Sequence, residues 1–259
     1  MSNPEAVRRP GRHQRPRGLA LIDMLVGLAL GAMVIVAALG ALSMARQSSG
    51  SVGDLHQLHT QGAFALRVIG RHVRQAGALE PTHDPASGLH VFDDRLIGFA
   101  GGSSLVAGSD GAGTEPDTLS VSHQPAAASD AHRLDCLSEV VRTGERIDST
   151  FFLRRGELRC RTASKNQALI GQVADFQVMY RVRNALQETR RLNASQLTAQ
   201  SLWRDVRAVE VCIDLKGDLP AAAAGNDSYR DCRGADVTRT GRQRLVLRQV
   251  FALRTSTAP

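Results

Sequence analysis

The sequence predicts an α+β protein: one long N-terminal hydrophobic helix packed on an antiparallel β-sheet. Three observations predict it. Met24 to Met44 contains no charged residue, no proline occurs between Arg17 and Glu80, and beyond Pro81 the pattern turns to short alternating apolar runs separated by turn-rich stretches. The first two permit a single helix that crosses a hydrocarbon core of about 30 Å. The third is the signature of half-buried strands.

The N-terminus opens on a basic stretch. Arg8, Arg9, Arg12, Arg15 and Arg17 stand against Glu5 alone, so more than half of the formal charge of +7 lies before Gly18. A basic flank before an apolar span, with the polar bulk after it, predicts a cytoplasmic N-terminus and an exported C-terminal domain. The apolar run begins directly after Gly18, whereas a secretory signal places its apolar region before the cleavage site. Cleavage is therefore expected ahead of the hydrophobic segment, which then stays on the mature chain. Asp23 interrupts the apolar character near its start, and a carboxylate on a membrane helix costs a few kcal/mol unless something compensates it.

After the apolar run, Leu55, Leu58, Gly62, Ala65, Ile69, Val73 and Ala76 recur at spacings of three and four, the stripe of an amphipathic helix. Gly50 and Gly53 are a soft point between the two halves, and Pro81 is expected to close the helix. Farther on, residues 101–117, "GGSSLVAGSDGAGTEPD", read as loop, and "TLSVSH" from Thr118 as a strand. "TFFLRRGELRCR" reads as two strands joined through Gly156. One face is expected to carry Ala174, Phe176, Val178, Tyr180 and Val182. A second carries Val209, Val211, Ile213 and Leu215, and a third Leu245, Leu247, Phe251 and Leu253. Such runs separated by turns make an antiparallel sheet.

Cys136, Cys160, Cys212 and Cys232 all follow the membrane run and form no CxxC pair, so an exported disulfide framework is expected rather than zinc. Four cysteines allow three connectivities. The sequence-local one, Cys136 with Cys160 and Cys212 with Cys232, is expected, the second bridge stapling a mobile loop outside the core on the strand face of Glu210 and Asp214.

"RG" followed by "LALIDMLVGLALG" resembles the prepilin signal of type IV pilins and type II secretion pseudopilins. The order of later motifs, "PDTLSVSH", "DCLSEVV", "GELRCR", "QVADFQVMYRV", "LWRDVRAVEVCIDL" and "RLVLRQVFALRT", resembles the PilW-type minor pilins. The resemblance implies cleavage by a prepilin peptidase between Gly18 and Leu19 and N-methylation of Leu19. It also implies that Asp23, where the family usually has glutamate, pairs with the N-terminal amine of a neighbouring subunit and sets register. The implied organisation is a leader at 1–18, a transmembrane and filament-core half-helix at 19–45, an amphipathic half at 46–80 and an exported β-rich domain at 81–259. The implied partners are other minor pilins and the major pilin, the prepilin peptidase, the inner-membrane assembly platform and a large tip adhesin. The chain would reside in the inner membrane before assembly and in the pilus fibre afterwards, in a tip or priming complex serving twitching motility and adhesion. The alternatives are a J-class type II secretion pseudopilin, a DNA-uptake component, and an uncleaved single-pass receptor or hydrolase.

Residues that suggest other chemistry lack its spacing. His56 and His59 beside Asp54 read as solvated helix surface, and His83, Asp84, His90, Asp93 and Asp94 match no metal-ligand template. "GSDGAGTEPD" lacks the regular calcium-loop spacing and reads as a flexible loop. There is no GxSxG elbow and no phosphate-binding glycine motif, so no catalytic residue, metal or cofactor is expected. Arg154, Arg155, Arg159, Arg161, Arg190 and Arg191 form basic clusters, but two tyrosines and one tryptophan are too few for a base-stacking platform, and no nucleic-acid partner is expected.

Overall fold

The computed structural model describes residues 20–79, 82–91, 98–99, 104–124, 133–142, 145–183, 188–220, 228–238 and 241–253. It forms two compact units, Met1–Gly50 and Ser51–Pro259. The first helix, α1 (Ala20–Gln75), contributes to both. Gly50 and Gly53 lie within α1, and the division between the units falls at Gly50.

The helix ends at Gln75, earlier than Pro81. Gly77 takes a φ of 76°, a left-handed conformation open to glycine. Its N–H then donates to the Ser122 carbonyl at 3.0 Å instead of continuing the helix. The buried stripe also differs from the expected one by one position at its start. Leu55 is 45% exposed, and Asp54 is buried in its place. The Asp54 carboxylate accepts from the backbone N–H groups of Asp218 and Leu219 at 3.2 and 3.4 Å. It fits there because a Cβ at Gly217 would lie 2.1 Å from its Oδ2. From Leu58 to Ala76 the stripe is buried as the spacing predicts.

Among the described residues, two antiparallel sheets, two hairpins and a short helix make the rest of the second unit. The hairpins pair β1 (Thr82–His83) with β2 (His90–Val91) and β11 (Ser228–Arg230) with β12 (Asp236–Thr238). One sheet is a five-stranded meander of β3 (Val106–Ser109), β4 (Thr118–His123), β5 (Ile147–Arg154), β6 (Glu157–Arg161) and β7 (Asn166–Ile170). The other is four-stranded and comprises β8 (Val173–Arg183), β9 (Thr189–Leu192), β10 (Val206–Pro220) and β13 (Arg242–Ala252), in the order β13-β10-β8-β9.

Residues expected to be loop at 106–109 are β3, because their backbone pairs with β4 and the chain there must pass close to Tyr180. A Cβ on Gly108 would lie 2.1 Å from the Tyr180 hydroxyl oxygen. In β8 the buried face runs Val173, Phe176, Val178, Tyr180 and Val182, and Ala174 is exposed. The register slips between Asp214 and Leu215 opposite, a bulge that moves Val173 to the inner face.

α1 lies against both sheets. Gly62 admits the Leu247 and Leu215 side chains and Gly70 admits the Phe251 ring, each so closely that a Cβ would lie 2.3 Å from the nearest atom. On the other sheet, the His72 ring lies 6.1 Å from that of Phe151. The short helix α2 (Ala194–Gln200) carries a capping box: the Asn193 side chain accepts from Gln196 N–H while Gln196 accepts from Asn193 N–H.

Candidate functional site

The first unit presents an apolar helix surface to its surroundings. Every large apolar side chain from Leu21 to Met44 is exposed, and the segment is long and apolar enough to cross a membrane. Asp23 sits in its first turn, where the helix dipole favours a negative charge. Asp23, Gly27, Gly31 and Ile35 follow one another at helical spacing and, with Met24, Leu28 and Ala32, line a shallow groove. A Cβ at Gly27 or Gly31 would meet nothing within 4 Å, so the backbone is open to close approach of another helix beside the carboxylate. Gly18 and Leu19 lie outside the described residues.

The cysteines pair as Cys136 with Cys160 and Cys212 with Cys232, with Cα separations of 6.4 and 5.5 Å. Cys212 and Cys232 are both buried, yet the second bridge stands apart from the hydrophobic core cluster that includes Cys136 and Cys160, as expected. It joins β10 to the turn of the β11–β12 hairpin, which covers a row of acids. Glu210 and Asp214, on the strand face opposite the apolar one, are buried there. Glu210 accepts from Arg191 at 3.1 and 3.3 Å and from Arg181 at 3.2 Å, and Arg248 lies 3.6 Å away. Burial alone would raise its pKa, but the bonds from Arg191 and Arg181 hold it below the ordinary glutamate value. Asp214 pairs with Arg244 at 2.7 Å and accepts from the Tyr229 hydroxyl at 3.4 Å; burial still pushes its pKa up to about 6.

Arg233 ties the hairpin to the rest of the unit. It pairs with Asp175 at 3.3 Å and donates to the carbonyls of Gly113, Thr114 and Glu115. The 108–117 stretch, expected as a flexible loop, is therefore held in place, and its acids cap backbone. Asp110 accepts from Ala194 and Ser195 N–H at the start of α2, and Asp117 from Gly111 and Val178 N–H.

A buried pair went unmarked by the sequence reading. His72 and His123 are 0% and 1% exposed, with ring centroids 5.5 Å apart. The Arg71 Nη2 lies 3.4 Å from His72 Nε2 and donates to the Asp135 carbonyl at 3.1 Å. Burial, each other's proximity and Arg71 hold His72 well below the usual imidazole range, and burial with Arg71 lowers His123 to about 4. The signal available was position: His72 lies four residues before Ala76 and three after Ile69, on the buried stripe.

His56 and His59 are exposed on α1. His83 and His90 pair across the first hairpin, Asp84 accepts from Ser87 and Ala86, and Asp93 and Asp94 lie outside the described residues. Among the described residues no three His, Cys, Asp or Glu side chains gather as metal ligands. The arginine clusters are partly consumed by internal contacts: Arg159 pairs with Glu157 and Asn166, Arg161 lies over Phe152 and Arg191 serves Glu210.

An exposed apolar half-helix, continued by an amphipathic half packed on antiparallel sheets, defines a type IV pilin-like protein. Residues 140–256, from just before β5 to just after β13, match the family model described as Type IV Pilus-assembly protein W. That match covers 117 of the 259 residues and supports a PilW-like minor pilin role in type IV pilus biogenesis; the matched family is structural rather than enzymatic. A comparison with curated proteins finds no match. Among solved structures, the type IV-like pilin TTHA1219 from Thermus thermophilus is 13% identical, with a TM-score of 0.46 over 78% of this chain and 97% of that one. A chain of the GspK-GspI-GspJ complex from the enterotoxigenic Escherichia coli type 2 secretion system is 9% identical, with a TM-score of 0.36 over 75% and 97%.

Proposed function

We propose that the chain is made as a prepilin, cut between Gly18 and Leu19, methylated on Leu19, and carried into the pilus fibre as part of a tip or priming complex. The observation that carries this reading is the exposed apolar helix with one carboxylate in its first turn, continuous with a PilW-like domain. In the membrane the apolar surface faces lipid; in the fibre it faces the helices of other pilins. Asp23 then meets a neighbour's α-amino group, and Gly27 and Gly31 let the two helices approach. Residues 1–18 are the leader, 19–45 the filament-core half, 46–80 the amphipathic half, and 81–259 the exported domain. The N-terminus is cytoplasmic before assembly, the domain periplasmic, and the role is mechanical, without a catalytic step. Its partners are other minor pilins, the major pilin, the peptidase and the assembly platform.

Deletion of the gene, scored for surface pili, twitching motility and exoprotein secretion, tests the role. Loss of pili or motility with secretion intact is expected. Lost secretion with normal pili would make the chain a secretion pseudopilin instead.

A further inference from the structure

We propose that the groove between α1 and the free edge of β13 docks an extended acidic segment of another protein, added to the four-stranded sheet as a further strand. β13 is eleven residues long and last in its sheet; β10 occupies one edge, and its other edge has no strand partner among the described residues. An unpaired edge of that length offers a row of backbone donors and acceptors to an incoming strand. Residues 248–250 are exposed, Val250 by 40%.

Between this edge and α1 runs a groove whose walls include Leu66, Arg67 and Arg74 from the helix and Leu247, Arg248 and Phe251 from the strand. Its lining mixes apolar and polar side chains, and its helix rim is cationic. Arg67 and Arg74 are exposed, and neither has an ion-pair partner among the described residues; Arg74 rests over the Phe251 ring at 5.6 Å. The arginines of β13, Arg244 and Arg248, are spent on the opposite face of the sheet, on Asp214, Glu210 and the carbonyls of Asp231 and Cys232.

Charge selects the occupant. The strand a second copy would offer, β13 itself, carries Arg242, Arg244 and Arg248 and no carboxylate, and would bring like charge to a cationic rim. An acidic strand is complementary. Arg67 and Arg74 are about 10 Å apart along the helix, and alternate carboxylates on a strand are separated by about 7 Å, a difference that two long guanidinium arms span. This surface lies in the second unit and is separate from the helix contacts proposed above, so it goes beyond that reading.

The full-length chain in detergent micelles, titrated into a fluorescein-labelled peptide of alternating Glu and Val, tests the docking by anisotropy. Two further peptides, N-methylated at alternate residues in either phase, keep the charge and remove one edge of backbone donors each. Saturable binding is expected, weakened at least tenfold by Arg67→Glu with Arg74→Glu and abolished by one of the two methylation patterns. A circular dichroism spectrum unchanged from wild type shows that the variant has folded. No binding of the unmodified peptide, equal binding by the charge-reversed variant, or equal binding of both methylated peptides would overturn the proposal. A chain found in pili that fails to bind peptide sinks the docking site alone, and a peptide-binding chain absent from pili sinks the pilin assignment alone.

Discussion

Replacing Arg244 with methionine removes the cation that faces Asp214. The Asp214 side chain is 2% exposed, and Arg244 donates to it at 2.7 Å from a side chain that is itself 21% exposed. Burial already pushes the pKa of this carboxyl to about 6 against that cation. Without the arginine it rises further, and each additional unit costs about 1.4 kcal/mol at a pH above the new value. Breaking a buried pair from one side typically costs about 3–5 kcal/mol. The partial exposure of Arg244 sets this pair at the low end, about 3 kcal/mol at pH 8.

The folded pKa is raised, so the folded chain holds this proton more tightly than the unfolded one. The penalty is therefore present above the folded pKa and fades as pH falls through it. At pH 5 both wild type and variant carry Asp214 protonated, and the difference shrinks to about 1 kcal/mol for a lost hydrogen bond. Urea unfolding of the full-length chain in detergent at pH 8 and pH 5 measures both values. Arg244→Met combined with Asp214→Asn should recover most of the pH 8 loss. A deficit of the same size at both pH values would refute a buried, charge-compensated carboxylate at this position.

The buried imidazoles act in the opposite direction. His72 and His123 have lowered folded pKa values, so stability is fully present above the unfolded value of about 6.5 and lost as pH falls toward 4, by about 3 kcal/mol for His123. His72→Phe with His123→Phe should flatten that acid limb in thermal unfolding scans, and an equally steep limb in the variant would contradict the pairing. Cys136→Ser with Cys160→Ser opens a loop of sequence separation 24 and should cost about 3 kcal/mol in the same unfolding assay. A loss below about 0.5 kcal/mol would mean that the bridge does not constrain the unfolded chain. Asp23→Ala should insert in membranes normally but reach pili at reduced level, with Asp23→Glu restoring it; normal incorporation of the alanine variant, read by immunoblot of sheared pili, would remove the register role.

The apolar periodicities carried most of the fold, because burial on one face of a helix or strand leaves a direct trace in residue spacing. Val209, Val211, Ile213 and Leu215 are all fully buried, as alternation predicts. The departures have local causes that spacing does not record. Val173 replaces Ala174 through a bulge set by the partner strand, and Asp54 replaces Leu55 because two backbone N–H groups and Gly217 receive its carboxylate. Glu210 and Asp214 look like solvent-facing residues until the arginines and the stapled hairpin that cover them are brought in from Arg181, Arg191, Arg244 and the chain around Cys232. The α2 helix was not anticipated, although Asn193 followed by Gln196 is a capping-box pattern. In the first unit, Asp23 was legible as an anomaly, since one acid in an apolar run stands out without any tertiary knowledge.

Mass spectrometry of this chain recovered from purified, sheared pili tests the central claim most directly. The chain should be present at a small fraction of the major pilin, with an N-terminal peptide that begins at N-methylated Leu19 and runs into Asp23. Absence from pili, an intact leader through Gly18, or a mature terminus elsewhere would contradict its assignment as an assembled minor pilin.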